Sequence, residues 1–375
     1  MDATQALSLA RRLVSALDLL EHPQLCPVCE NVGSLLYEGL GDRILDAKGI
    51  WSIRCCNRHG VVLWLSPLPR AADLDAAYDS YYTHGTPGAQ RSLVGMVNDR
   101  LTTVAAAFHY GYRRKPPSGA VRWLSRALIA ISPGGMNEVG ARIGFLPFPG
   151  KGARLLDVGC GSGAFISRMQ TLGWSVSGID TDPAAVEAAA TRGLDVKCAD
   201  LRASCWAEES FDAVTLIHVV EHVADPGALI EKATRLLKPG GRLIILTPNA
   251  NSLGHAIFRD AWYSLDPPRH LTILSGRALA VMLDRCELKI ERSGTTSRNA
   301  RGVWYSSLRI FRRKPAHSAM PAVLQHLVGL PFQLIERVAL SVTPRIGEEI
   351  VVIARRPMEK SPQSSPVRNR GTSTS

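Results

Sequence analysis

No stretch of the 375-residue sequence holds the ~18 consecutive apolar residues of a membrane-crossing helix. Its start, with Asp2 and interspersed polar residues, has neither the basic nor the apolar region of a secretory signal. These absences predict a cytoplasmic chain. Acidic residues are in deficit, leaving a net charge of +11. That charge suits an anionic partner such as RNA, an acidic membrane surface or a phosphorylated substrate, although solvation alone also accounts for basic surfaces. With 46% hydrophobic and 21% charged residues, the composition is that of a globular protein with its own core. The length suits two or three compact units.

Leu155-Leu156-Asp157-Val158-Gly159-Cys160-Gly161-Ser162-Gly163 is an apolar run that ends in alternating glycines. It reads as a buried parallel strand turning into a helix from about Ala164 to Leu172, whose N-terminal N–H groups face a ligand. Gly163 follows Gly161 after one residue, so the turn is not the dinucleotide fingerprint, and it lacks the Lys-Ser/Thr of a P-loop. A second strand, Trp174 to Ile179, ends in Asp180, an acid able to accept from both ribose hydroxyls of an adenosine. A third strand, Leu194 to Cys198, leads to Asp200, which can accept from an adenine amino group. The alternation of strands and helices to about Arg292 predicts an α/β fold with a mainly parallel sheet and helices on both faces.

Asp157 to Gly163, Asp180, Asp200 and Lys238-Pro-Gly-Gly-Arg242 together resemble the class I S-adenosylmethionine-dependent methyltransferases, over about Ala153 to Arg292. The resemblance implies a Rossmann-like seven-stranded sheet and S-adenosylmethionine as cofactor. Asp180 and Asp200 would hold the adenosine. Gly159, Gly161 and Gly163 would contact its methionine end, and Asp157 would orient the turn by accepting hydrogen bonds.

Four of the eight cysteines fall within the first 56 residues. Cys26-Pro-Val-Cys29 is a knuckle, and Cys55-Cys56-Asn-Arg-His59 follows about two dozen residues later. Three thiolates and an imidazole make a tetrahedral zinc set, for which Cys26, Cys29, Cys56 and His59 are the expected ligands; spacing also admits Cys55. This segment, with Leu74-Asp-Ala-Ala-Tyr78 behind it, resembles the zinc ribbon that precedes many bacterial methyltransferases, including ones encoded with cell-surface glycan or secondary-metabolite pathways. His59 stands where that pattern has a fourth cysteine. The other cysteines, Cys160, Cys198, Cys205 and Cys286, are scattered and read as small core residues.

The expected organisation is an N-terminal helix and zinc-ribbon-like module over 1–70, a helical lid or linker over 71–150, the methyltransferase domain over 151–356, and a disordered tail over 357–375. Arg113, Arg114, Lys115, Arg122 and Arg126 make the linker basic. Strands at Leu288 to Arg292 and Glu348 to Ala354 enclose an insert of about 298–345. Its apolar stripe (Leu324, Leu327, Val328, Leu334, Ile335, Val338) reads as core packing, dimerisation or peripheral membrane contact.

The fourth strand, Phe211 to Ile217, delivers His218, Glu221 and His222 to the carboxyl edge of the sheet. His218 and, in the loop Trp262 to Leu271, His270 are the candidate general bases, with Arg269 available for an acidic group on the acceptor. Glu221-His222 before Val-Ala-Asp-Pro226 resembles the segment of ubiquinone-pathway O-methyltransferases that helps hold a divalent metal. His218 replaces an acid of that pattern, which argues against a metal here. The acceptor expected is a small molecule or a glycan- or lipid-linked intermediate. RNA is the alternative, although no Asn-Pro-Pro-Tyr-type motif follows the fourth strand. A third reading is a binding protein that keeps the cofactor pocket without turnover.

Overall fold

The computed structural model describes residues 25–78, 109–112, 119, 123, 135–148, 150, 152–204, 206–316 and 322–358. The expected N-terminal helix, the basic residues Arg113 to Arg126, Cys205 and the tail beyond residue 358 lie outside the described residues.

Three strands open the described chain: β1 (Ser34–Leu40), β2 (Trp51–Cys56) and β3 (Val62–Ser66). Helices α1 (Ala71–Tyr78) and α2 (Gly135–Arg142) follow. The α/β core then runs β4 (Arg154–Val158), α3 (Ala164–Thr171), β5 (Ser175–Asp180), α4 (Pro183–Ala190), β6 (Val196–Cys198), β7 (Phe211–Ile217), α5 (Pro226–Leu236) and β8 (Leu237–Pro248). After it come α6 (Leu253–Phe258), β9 (Thr272–Leu274), α7 (Gly276–Arg285), β10 (Lys289–Thr296), α8 (Ala300–Phe311), α9 (Ala322–Val342) and β11 (Glu349–Arg355). Helix starts follow cap chemistry. Asp182, Asp225, Ser252 and Ser275 each accept a backbone N–H from the first turn of α4, α5, α6 and α7.

The main sheet has the order β10-β11-β8-β7-β4-β5-β6. Its central pairs are parallel, and β11 alone runs antiparallel, between β8 and β10. Both faces are covered, which is why these strands read as unbroken apolar runs. Leu156, Val158, Val214 and Leu216 turn to one core cluster, while Leu155, Ala213, Ile244 and Leu246 turn to the other. The Lys238-Pro-Gly-Gly241 stretch is a register shift inside β8, where Phe211 pairs Leu237 and Ala213 already pairs Arg242.

The N-terminal module is not a free-standing unit. Its sheet has the order β1-β2-β3-β9, and β9 comes from the methyltransferase segment. Val62 pairs Leu274, Leu63 pairs Ile273 and Trp64 pairs Thr272. The module's Trp51, Ile53 and Leu65 share a buried cluster with Trp262, Leu265 and Trp304.

Arg269 locks this junction and corrects the expectation that it meets a substrate. Its side chain is fully buried. The guanidinium donates to both oxygens of Asp42 at 2.8 Å and to Asp266 Oδ1 at 2.5 Å. Asp42 also accepts from the N–H groups of Ile44, Leu45 and Ala47. Burial acts against its charge, but Arg269 and these N–H groups outweigh it, so its carboxyl titrates below the ordinary range. For Asp266 burial wins over Arg269 and pushes the carboxyl up to about 6. The remainder of the loop is equally internal. The indoles of Trp262 and Trp304 each donate to the buried Glu348 at 2.9 Å.

The insert is a helix pair, α8 and α9, and the described part of its apolar stripe does not pack in the core, one of the three roles expected for it. Helix α9 buries Gln333 and Glu336 and leaves Leu334, Ile335 and Val338 exposed. Gln333 accepts from Arg301 and donates to the Ser297 carbonyl, and Glu336 accepts the Glu348 N–H at 2.8 Å. These polar contacts, with Phe332 packed on Trp304, dock the described part of this helix.

Replacing Arg269 by Met leaves Asp42 and Asp266 as buried acids without their cation. Loss of one partner of a buried ion pair costs about 3–5 kcal/mol. Thermal unfolding should therefore show Arg269→Met melting well below the parent, and Arg269→Lys, which keeps the charge but not the fork, falling between the two.

Candidate active site

The glycine turn sits at the carboxyl end of β4, between β5 and β7. Gly159, Gly161 and Gly163 have φ of +69°, +50° and +79°, the left-handed region that costs an L-residue about 1–2 kcal/mol. Their roles differ. A Cβ on Gly159 would meet Val219 Cγ2 at 2.6 Å, and one on Gly163 would meet Leu194 Cδ1 at 2.3 Å. A Cβ on Gly161 would meet nothing within 4 Å. The outer glycines therefore allow close packing, and the middle one faces open space.

Asp180, expected on the ribose, also braces this turn: its Oδ2 accepts the Gly161 N–H at 2.7 Å and its Oδ1 the Asp182 N–H at 3.0 Å. Each oxygen keeps a second lone pair for a hydroxyl donor. Asp157 does not hold the turn by its side chain as expected; its Oδ1 accepts from Thr215 Oγ1 of β7 at 2.6 Å. Buried between strands, its carboxyl is pushed up to about 7. Asp200 caps the turn at 201–203 and pairs with Arg202 at 2.7 Å, which holds its carboxyl below the usual range.

Backbone position brings the loop after β7 against the glycine turn through Val219. His218 opens that loop with φ +55° and its N–H on the Leu246 carbonyl. Its Nδ1 lies 3.1 Å from Glu221 Oε1 and its Nε2 2.9 Å from Glu349 Oε1. Arg298 donates to both oxygens of Glu349. Burial would discharge the imidazole, but the two carboxylates overcome it and push its pKa up to about 10. Burial likewise opposes ionisation of Glu221 and Glu349, yet their cationic partners hold both at about 2. Both ring nitrogens of His218 thus face carboxylates, which favours the imidazolium and works against the general-base role expected of it.

His270 is the opposite case. Its Nδ1 is 2.7 Å from the Ser264 carbonyl, which only accepts, so Nδ1 carries the proton and Nε2 the lone pair. Burial holds its pKa below the ordinary value. The ring meets His222 edge-on, with centroids 4.7 Å apart. His222 Nδ1 lies 3.1 Å from the Arg269 carbonyl and 2.9 Å from the Tyr78 hydroxyl. Burial and the neighbouring His270 pull His222 down to about 4. Glu221, His222 and His270 place ligand atoms within 4.8 Å of one another, a set able to hold a cation. Glu221 already accepts from His218 and, through Oε2, from Thr247 Oγ1 at 2.9 Å.

A second cluster lies in the module. The sulfurs of Cys26, Cys29 and Cys56 lie within 4.8 Å of one another, with Cys29 and Cys56 3.6 Å apart. Sulfurs ~2.3 Å from one tetrahedral ion have similar separations. Cys55 is excluded, since its Sγ turns to Asn57 and the opposite cluster. His59 does not join the three sulfurs. The Arg58–Gly60 turn instead packs on the start of α7, where a Cβ on Gly60 would meet Ser275 Oγ at 2.7 Å. Burial raises the Cys26 thiol pKa. At Cys29 burial is outweighed by the Asn31 N–H and the neighbouring sulfurs, and the pKa falls.

Sequence reasoning missed Glu349, Arg298 and Tyr78 as partners of the site. The adjacent acids Glu348-Glu349 at the head of an apolar strand were the available signal, because a strand interior has no use for charge unless it is paired.

Imidazole chemical shifts measured against pH should show His218 remaining protonated to about pH 10 and His222 neutral above about pH 4. Glu349→Gln should bring the His218 midpoint down, because one of its two anionic partners is gone.

A family model described as a methyltransferase domain matches residues 135–293. Ubiquinone biosynthesis O-methyltransferases of Xanthomonas oryzae pv. oryzae and Xanthomonas campestris pv. campestris are each 36% identical over 173 residues, which is 43% of this chain and 70% of each relative. Among solved structures, Haemonchus contortus phosphoethanolamine N-methyltransferase 2 with S-adenosyl-L-methionine is 17% identical, with a TM-score of 0.43, over 62% of this chain and 56% of that one. The strand order, the glycine turn, the family model and the Xanthomonas relatives agree: the chain belongs to the class I S-adenosylmethionine-dependent methyltransferases.

Proposed function

We propose that this methyltransferase methylates a hydroxyl oxygen on a small molecule or a glycan- or lipid-linked intermediate, with His270 as general base. The observation that carries the reading is the contrast between two histidines at one sheet edge, His218 set between two carboxylates and His270 on a backbone carbonyl. An attacking hydroxyl must lose its proton, and a neutral ring with a lone pair can take it. His270 Nε2 carries that lone pair, with Asp266 Oδ2 3.9 Å away, whereas both His218 nitrogens face carboxylates. Glu221, beside His270, would stabilise the imidazolium formed. The name of the Xanthomonas relatives, O-methyltransferase, supports oxygen as the acceptor atom. S-adenosylmethionine supplies an electrophilic methyl group on its sulfonium. The chain's residues would do the rest by positioning. Asp180 takes the ribose hydroxyls and Gly161 leaves room for the amino-acid end. Asp200 takes the adenine amino group in exchange for its half-exposed pair with Arg202, which is worth little in water.

In the module, Cys26, Cys29 and Cys56 would hold a structural zinc ion as thiolates. Metal analysis of the purified chain should give one zinc per chain. Cys56→Ser should lose most of it, whereas Cys55→Ser and His59→Ala should keep it.

RNA methylation is the second reading, favoured by the +11 charge. Methyl-labelled S-adenosylmethionine supplied with a fractionated extract separates the two. Label is expected in the small-molecule, glycan or lipid pool. His270→Ala should cut that transfer about 10²–10⁴-fold while S-adenosylhomocysteine still binds, since the lost group handles a proton rather than the cofactor. Label in RNA would overturn the first reading.

A further inference from the structure

Helix α9 is amphipathic in reverse. Its inward face carries Gln333 and Glu336, both buried. Leu334, Ile335, Val338 and Val342 recur at helical spacing on the outward face, with Ile335 53% exposed, Val338 68% and Val342 82%. Phe311, at the end of α8, is 65% exposed. A helix that only had to pack on its own domain would bury this stripe, and water gains nothing from touching it.

Charge within the insert selects the occupant. Residues 297–345 contain eight Arg or Lys and one acid, Glu336. That acid is buried against the Glu348 N–H. The exposed charges of the segment, Arg312, Arg313, Lys314 and Arg345, are therefore all cations. A second copy across a two-fold axis would set those cations against each other. An anionic lipid surface accepts both features at once, with apolar side chains below the headgroups and cations among them.

We propose that the outward face of α9, with Phe311 and the basic end of α8, docks this enzyme on anionic membranes. The segment is an insertion between β10 and β11, at one edge of the main sheet. The helix would lie along the bilayer surface, since no helix among the described residues is long and apolar enough to cross it. This docking is independent of the acceptor assigned above and would stand if that assignment failed.

The test uses the full chain with vesicles of phosphatidylcholine alone and of phosphatidylcholine mixed with phosphatidylglycerol. Flotation is read together with solution mass, melting temperature and S-adenosylhomocysteine affinity. The chain should float with the phosphatidylglycerol vesicles and not with phosphatidylcholine alone. Ile335→Asp/Val338→Asp should weaken flotation at least about tenfold, because two apolar anchors are lost. Cofactor affinity and melting temperature should stay unchanged. Arg312→Glu/Arg313→Glu should weaken flotation as well, and added salt should mimic it. Failure of the parent to float overturns the proposal, as does flotation that the double aspartate variant retains. A parent dimer that the variant converts to monomer would assign the face to a second copy. A lower melting temperature without parent flotation would assign it to another part of this chain. Either result also overturns the proposal.

Discussion

The active site depends on one fully buried guanidinium. Arg269 is held between Asp42 of the module and Asp266 of its own loop, and its Nη1 also reaches the Ala77 carbonyl of α1. A single side chain thus joins three segments that the sequence separates. Because the charge is buried, it must be paired well or not at all. That requirement fixes the backbone of its neighbours. The Arg269 carbonyl lies 3.1 Å from His222 Nδ1, and the next residue is His270. Leu271 then bonds to the Glu221 carbonyl at 2.7 Å before the chain enters β9 and completes the module's sheet. The module is part of what holds the loop that carries His270 in place.

Electrostatics then separates the histidines. His218 sits between two acids and is driven up to about 10, while His222 is stripped of its charge and driven down to about 4. His270 follows His222 in direction, and its tautomer is set by a backbone carbonyl. Pairs of titratable groups pushed apart in this way reveal their roles. His218 links the loop after β7 to β11 through Glu349, a setting that favours its charged form. His270 is a neutral ring able to accept a proton.

The core was legible in the sequence because local rules decide it. Apolar runs bounded by glycine and proline located β4, β5, β7 and the helix α3 after the glycine turn. The glycine turn and Asp180 were legible as a site for the same reason, since φ above zero and a strand-end acid leave marks on the sequence. What was not legible depended on contacts between distant positions. Arg269 looked like a ligand for a substrate because Asp42, 227 residues away, gives no local sign of being its partner. His218 looked like a base because Glu349 approaches it only through the β8–β11 pairing. Periodicity located the apolar stripe of the insert without saying which way it points; in its described part Gln333 and Glu336 are buried and Leu334, Ile335 and Val338 face outward.

A crystal structure with S-adenosylhomocysteine bound tests the account most directly. The account predicts the ribose on Asp180, the amino-acid end over Gly161, and the sulfur opening toward His270 Nε2. His218 should remain between Glu221 and Glu349. A sulfur that faces His218, with that ring released from Glu349, would contradict it.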